Sequence, residues 1–460
     1  MKECFDSTQP CPRDSRHSGK LSPARRQARR HARCYHESVT NSPHADYDLQ
    51  DERFSPAFAI LREAMAKRVF PGASVAVTYQ GRLIALKDFG KFVFDTDIAC
   101  AQPLSGSGRR DGDSEIKPST LFDLASLTKV IATTTMAAII YERGLLDLEA
   151  PVVSAIPEFL ADSSGTLDPR RRQVTFRMLL AHSSGLPAYE KLFLRCRSRE
   201  ELLHAAFTTP LTADPGSRAE YSDIGFIVLG TALERMAGES LDVFCQREIF
   251  GPLGMSHTTF NPPAELRLKI PPTADERVSV ADRCGADTPF DKLTTGSLGE
   301  KRTSSDLPSG SHSDTRSTFR NRIIQGEVQD ENAFVLGGVA GHAGLFSTAE
   351  DVVLFAHAVL KGGDPILRAE TIARFTQRQS SPANMSRALG WDTPSQPSQS
   401  GKYFGPRSYG HLGYTGTSLW IDPDRQLSIT LLTNRTWPDC SNQAIKQVRP
   451  NFHDAVMEAL

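Results

Sequence analysis

Apolar residues recur along this chain with two different periods, and each change of period marks a change of element. Phe58, Leu61, Met65 and Val69 stand three and four apart, one face of a helix, and Pro71-Gly72 stops it. Ala73 to Tyr79 alternates as a strand, Gln80-Gly81-Arg82 turns the chain, and Leu83 to Phe89 runs back, so a β-hairpin follows the helix. The middle of the chain is helical in pattern. Leu127 to Arg143 closes on Gly144 and Ile224 to Ala237 on Gly238, the residue best suited to the left-handed position after a helix. Strand signals return late: Thr417 to Ile421 and Gln426 to Thr433 flank the turn Asp422-Pro423-Asp424-Arg425, and a closing helix from about Asn451 to Leu460 follows Pro450. Strands from both ends therefore bracket a helical middle. The economical arrangement is α+β: one antiparallel sheet built from about 54–125 and 340–460, flanked by helices, with a mainly helical part inserted over about 126–339.

Two stretches interrupt this pattern. Residues 1–50 are polar, with a basic cluster at Arg25, Arg26, Arg29, Arg30 and Arg33, and hold too little apolar surface to offset the entropy of ordering; a disordered tail is expected. Arg277 to Ser317 is rich in Ser, Thr, Gly and Asp and poor in aliphatic residues, and reads as a flexible insertion inside a domain, while Ala101 to Ser119 reads as a loop.

Composition removes several function classes. Lys+Arg number 53 against 54 Asp+Glu, a net charge of −1, so no global basic field draws nucleic acid or membrane. The longest apolar run, Val130 to Ile140, is too short to span a bilayer and carries Thr133, Thr134 and Thr135. Met1 to Gln50 contains no apolar stretch of the secretory kind, which points to a cytoplasmic protein, or a periplasmic one if the start codon is misplaced. The eight cysteines are scattered without a Cys-x-x-Cys pair and read as reduced thiols; no metal spacing is formed and no cofactor is expected.

Three pieces carry chemistry. In Ser126-Leu127-Thr128-Lys129, a spacing of three on a helix puts hydroxyl and amine on one face, about 5–6 Å apart at Cβ. Unpaired N–H groups at the helix start favour a developing oxyanion. If Lys129 is shielded among Val130, Ile131 and Met136, it can take the Ser126 proton. In Tyr221-Ser222-Asp223, before an apolar helix, Tyr221 can act as base or proton shuttle and Asp223 can hold Lys129 by charge; alternatively Asp223 is the N-cap and Tyr221 is packing. In His411-Leu412-Gly413-Tyr414, ahead of a strand, Gly413 lets a substrate backbone approach. There the Tyr414 N–H can pair with that of Ser126 as an oxyanion hole, and His411 offers a donor or a switchable charge for a substrate carboxylate. No G-x-S-x-G, H-E-x-x-H or P-loop motif is present.

Taken together, Ser-x-x-Lys, a Tyr-x-Asn-like triplet and a Lys/His-x-Gly box before a late strand resemble the serine β-lactamase and penicillin-binding-protein family, nearest to class C β-lactamases and related esterases. The stretches Thr175 to Pro187 and Gly337 to Ser347, with Val328 to Ala333 ahead, are similar to the penicillin-binding-protein-4B-like subgroup. The resemblance covers roughly Phe54 to Leu460 and implies a β-lactamase/transpeptidase-like fold. It also implies a nucleophile at Ser126, its general base at Lys129, the second-motif tyrosine at Tyr221, and substrate contacts at Asp223, His411 and Gly413. Asp223 stands where the family has Asn, and His411 where many relatives have Lys, which favours an esterase or a D-aminopeptidase- or carboxypeptidase-like hydrolase over an efficient β-lactamase. A small-molecule or peptide-like substrate is expected, with no nucleic-acid partner. The competing readings are a catalytically inactive ligand-binding homologue and an interaction protein working through the basic tail. His182, His342 and Trp391 read as structural, and Ser347 with Glu350 reads as a capping box.

Overall fold

The sheet predicted from both chain ends forms as a single six-stranded unit. In the computed structural model, which describes residues 42–97, 114–277 and 319–460, its strands are β1 (His44–Ala45), β2 (Gly72–Tyr79), β3 (Arg82–Gly90), β4 (Tyr409–Leu412), β5 (Ser418–Asp422) and β6 (Leu427–Thr433). The spatial order is β1-β3-β2-β6-β5-β4. The N- and C-terminal hairpins meet where β6 pairs antiparallel with β2, in register from Leu427 opposite Tyr79 to Thr433 opposite Ala73. Only β1 runs parallel to its neighbour. The polar pattern places His44 and Ala45 in the tail, whereas the compact unit begins at Ser42 and the two residues pair with β3. Most of the tail, residues 101–113 of the loop and 278–317 of the insertion lie outside the described residues.

Both faces of the sheet are buried, and the period of two sorts its side chains between them. Val75, Val77, Ile84, Ile429 and Leu431 pack against Phe58 and Leu61 of the helix Ser55–Ala66 and Phe452 and Val456 of the helix Ile445–Glu458. Ala76, Leu419, Ile421 and Leu432 face the other way, into a core shared with Val130, Ile131, Ile227 and Phe355. The helical middle thus shares one core with the sheet. A small three-stranded sheet has Leu345–Ser347 central between Thr259–Phe260 and Phe122–Asp123, and the last of these strands ends just ahead of Ser126. The ends of the insertion are joined by pairing of Ala274–Asp275 with Ile323–Ile324 and by the buried ion pair of Arg320 and Glu276 at 2.6 Å.

Several local expectations are corrected. The closing helix starts at Ile445 and contains Pro450. Proline has no N–H for the Lys446 carbonyl one turn back, and the Gln399 side chain donates to that carbonyl instead, at 2.9 Å. The helix Ala349–Leu360 is capped by Thr348, whose hydroxyl accepts from Asp351 N–H at 3.1 Å; Ser347 belongs to the strand before it. Cys196 and Cys245 are free thiols, but Cys440 is disulfide-bonded, since spacing along a chain does not tell which thiols meet. Trp391 is core: it stacks on Phe355 and meets Tyr409 edge-on. No helix among the described residues is long and apolar enough to cross a membrane.

Candidate active site

Ser126 opens a helical run that is not the uniform α-helix its sequence predicts. A 3-10 turn, Ala125–Leu127, leads into a π-helical turn, Lys129–Thr134, and only then into an α-helix, Thr135–Glu142. Widened turns of this kind recur at functional sites. Ala125, just before the hydroxyl, has φ of 48°, a left-handed conformation that costs a non-glycine residue about 1–3 kcal/mol. Two bonds hold it there: its N–H donates to Asp123 Oδ1 at 2.8 Å, and its carbonyl accepts from Thr128 Oγ1 at 2.6 Å.

Lys129 has no exposed surface, and three oxygens surround its amine: Ser126 Oγ at 2.9 Å, the His342 carbonyl at 2.9 Å and Asp223 Oδ1 at 2.6 Å. The rings of Tyr221 and Phe226 complete the enclosure, their centres 4.9 and 5.6 Å from Nζ. Burial lowers the amine's proton affinity below the ordinary lysine value, against the pull of Asp223 and, more weakly, Asp330.

The Tyr221 hydroxyl donates to Ser126 Oγ at 2.8 Å. Its ring rests on His182, centres 4.7 Å apart, and His182 in turn stacks on Phe226 at 4.9 Å. His182 is fixed by its Nδ1, which accepts from Ser222 N–H at 3.0 Å. Burial first, and then the Asp223 charge, raise the Tyr221 phenol well above its ordinary pKa, so it carries its proton at neutral pH. The choice between Asp223 as cap and Asp223 as partner of Lys129 resolves cleanly. Ser222 caps the helix Asp223–Ala237, its hydroxyl accepting from Gly225 N–H at 2.9 Å, which leaves the Asp223 carboxylate to face the amine.

The third piece closes the same site. The Thr415 and Thr417 hydroxyls donate to the Asp123 and Leu124 carbonyls at 2.7 and 3.0 Å, stitching the turn after β4 to the residues immediately before Ser126. Gly413 permits this docking: a Cβ there would lie 2.6 Å from the Leu124 carbonyl. Tyr414 sits in that turn. His411 lies beside Tyr221, ring centres 5.8 Å apart, but not as a switchable charge. Its Nδ1 must carry a hydrogen, because it bonds the Leu412 carbonyl at 2.8 Å and a carbonyl can only accept. Burial, with Lys129 and Arg387 nearby, holds its pKa well below the ordinary histidine value, so Nε2 presents a lone pair.

Two neighbours had no sequence signal. Arg387 is buried with its guanidinium 5.3 Å from the centre of the Tyr221 ring. Asp330 holds the His342 ring, Nε2 to Oδ1, at 2.9 Å. Among the described residues no cluster of three or more His, Cys, Asp or Glu side chains is arranged to hold a metal ion.

Comparison with known proteins gives the family and the fold. The family model described as Beta-lactamase matches residues 57–448. The N-acetylmuramyl-L-alanine amidase of Bacillus subtilis (strain 168) is 30% identical over 383 residues, spanning 80% of this chain and 77% of that protein. A putative D-alanyl-D-alanine carboxypeptidase of Escherichia coli (strain K12) is 29% identical over 391 residues, 81% of each chain. Among solved structures, a class C beta-lactamase superposes with a TM-score of 0.57 at 15% identity, covering 91% of this chain and 99% of its own, a likeness of fold.

Proposed function

The chain belongs to the beta-lactamase family, and from that premise we propose that Ser126 is its nucleophile, Lys129 the general base and Tyr221 the proton shuttle. The protein is a serine hydrolase that works by acyl transfer through an acyl-enzyme. The observation that carries the residue assignment is the convergence of Lys129 Nζ and Tyr221 OH on Ser126 Oγ, at 2.9 and 2.8 Å.

The steps follow from the protonation states. Lys129, disposed toward the neutral amine, accepts the Ser126 proton while Oγ bonds to the substrate carbonyl carbon. The oxyanion is stabilised by the N–H groups of Ser126 and Tyr414. Tyr221 passes its proton to the leaving group and recovers one from Lys129, which releases the alcohol or amine and leaves the acyl group on Oγ. Water then attacks the ester, its proton passing to the Lys129–Tyr221 pair. Because the phenol holds its proton, Tyr221 relays rather than serving as a standing base.

Substrate preference follows from the two departures from the family pattern. With a neutral His411 and an Asp in place of the family's Asn at 223, the second and third motifs themselves offer a substrate carboxylate no cation. An ester or a peptide-like amide is favoured over efficient β-lactam hydrolysis. Both curated relatives are named for amide bonds to alanine, and we extend an alanine-containing peptide-like amide to this chain as its substrate class. The test is intact-mass analysis after a fluorophosphonate probe and after p-nitrophenyl acetate. Wild type should gain one adduct and Ser126→Ala none. An unlabelled wild type supports the inactive ligand-binding reading, and a fully active Ser126→Ala removes Ser126 as nucleophile.

A further inference from the structure

A neutral lysine amine has two N–H donors and one lone pair. Two acceptors that cannot donate, Asp223 Oδ1 and the His342 carbonyl, lie within bonding distance of Lys129 Nζ, so the lone pair is left for Ser126 Oγ. The aim of the base therefore depends on where the His342 carbonyl points. Three constraints meet on that peptide. The preceding carbonyl, Gly341 O, accepts from Thr133 Oγ1 at 2.6 Å. Gly341 passes so close to the helix Asp223–Ala237 that a Cβ on it would fall 2.2 Å from the Phe226 carbonyl. The His342 ring, buried, donates from Nε2 to Asp330 Oδ1, and the same oxygen accepts from Ala333 N–H at 2.8 Å, fixing the carboxylate in turn. Burial opposes a charge on Asp330, but the His342 ring, the Ala333 N–H and the more distant Lys129 overcome it and hold the carboxyl below its ordinary pKa.

We propose that Asp330 is a positioning residue for acyl transfer: by pinning the His342 ring it sets the carbonyl that aims the Lys129 lone pair at Ser126. A second link runs through the same segment. Gln329 N–H, next to Asp330, donates to Asp123 Oδ2 at 2.7 Å, and Asp123 Oδ1 holds Ala125 N–H in the strained turn before Ser126. Nucleophile and base are thus referenced to one stretch of backbone some two hundred residues away in sequence. The proposal rests on Ser126 and Lys129 being the reacting pair, which the Ser126→Ala labelling tests by itself.

The experiment is a double-mutant cycle on the acylation rate plateau with p-nitrophenyl acetate, using the full chain. Asp330→Asn keeps a side-chain oxygen to cap Ala333 but removes the charge facing His342. It should lower the plateau about tenfold, the scale of a slight misplacement of reacting groups. His342→Ala should do the same, and the double variant should lose no more than the worse single. The pH profile adds a readout that packing alone would not move. The charges bearing on Lys129 are Asp223, Asp330 and Arg387, so loss of the Asp330 charge moves the acidic limb to lower pH. If Asp330→Asn does not fold, His342→Leu should fall at least tenfold below His342→Gln, which retains a donor able to reach Asp330. Additive losses, a wild-type plateau and limb in Asp330→Asn, or equal rates in the Gln and Leu variants would overturn the proposal.

Discussion

Asp223 Oδ1 lies 2.6 Å from Lys129 Nζ, and that amine is fully buried. The pair therefore sets the working pH of the site. Burial favours the neutral amine and Asp223 opposes it most strongly, so Asp223→Asn should release the amine's proton at lower pH while keeping an acceptor oxygen. The acidic limb of kcat/KM for p-nitrophenyl acetate is expected to move down by about one pH unit, typical for loss of an opposite charge at contact. An unmoved limb would mean that the limb does not report Lys129.

The hairpins, the glycines that end the helices and the three motifs were legible because each is written in local chemistry: period two, a turn, a glycine after a helix, a hydroxyl three residues before an amine. What was illegible depends on contacts that leave no pattern. Ser222 and Asp223 are both good caps, and only the position of Lys129 distinguishes them. Pro450 reads as a boundary until Gln399 is seen bonding the carbonyl it leaves unserved. The His342 carbonyl that meets Lys129 is backbone, 213 residues away, and has no sequence signature. The charge of His411 likewise depended on burial and on Leu412 O.

Docking of the third motif against the nucleophile turn predicts a selective effect at Gly413. A Cβ there would come within 1.9 Å of Thr417 Oγ1 and 2.6 Å of the Leu124 carbonyl, displacing the turn that carries Tyr414. Gly413→Ala should cut kcat about a hundredfold, as expected for a misplaced oxyanion donor. Gly81→Ala is the comparison: its φ is positive, 78°, so a side chain there is strained, but a Cβ meets nothing within 4 Å, so the variant should lower the melting temperature and leave kcat alone. Equal kinetic effects would remove the oxyanion role of the turn.

Acid sensitivity should be traceable to a residue outside the site. His453 is buried and its pKa is pushed down to about 3, by burial first and then Arg449; Nδ1 points at the Gln399 and Ser400 carbonyls and Nε2 at Ser418 Oγ. Unfolded histidine takes a proton near pH 6.5, whereas the folded one does not until about pH 3, so stability falls as pH drops through that window. By pH 5 this amounts to about 2 kcal/mol. Asp123, raised to about 6, and Glu331, raised to about 7, work in the opposite direction and are common to both proteins in the comparison. His453→Gln should be less stable at pH 7 yet lose about 2 kcal/mol less than wild type between pH 7 and 5, measured by urea midpoints at constant slope. A parallel loss would place the acid sensitivity elsewhere.

Tyr221→Phe should separate esters from amides. The ring keeps its contact with His182 and its place beside Lys129, so the fold and the aim of the base are retained; what disappears is the hydroxyl 2.8 Å from Ser126 Oγ. A p-nitrophenolate leaves without a proton, so its expulsion does not need the phenol. An amide nitrogen must be protonated to leave, and that proton comes by way of Tyr221. The expected result is a loss of about tenfold or less in acylation by p-nitrophenyl acetate, against a loss of at least a hundredfold for the p-nitroanilide of a D-alanyl peptide, in line with the usual span of general acid catalysis. The bursts of p-nitrophenol from the ester and of p-nitroaniline from the anilide, read by stopped flow with intact mass to count acyl-enzyme, give the two numbers. Equal losses on the two substrates would show that Tyr221 acts before the leaving group departs, on Ser126 itself, and would leave protonation of the leaving group to Lys129.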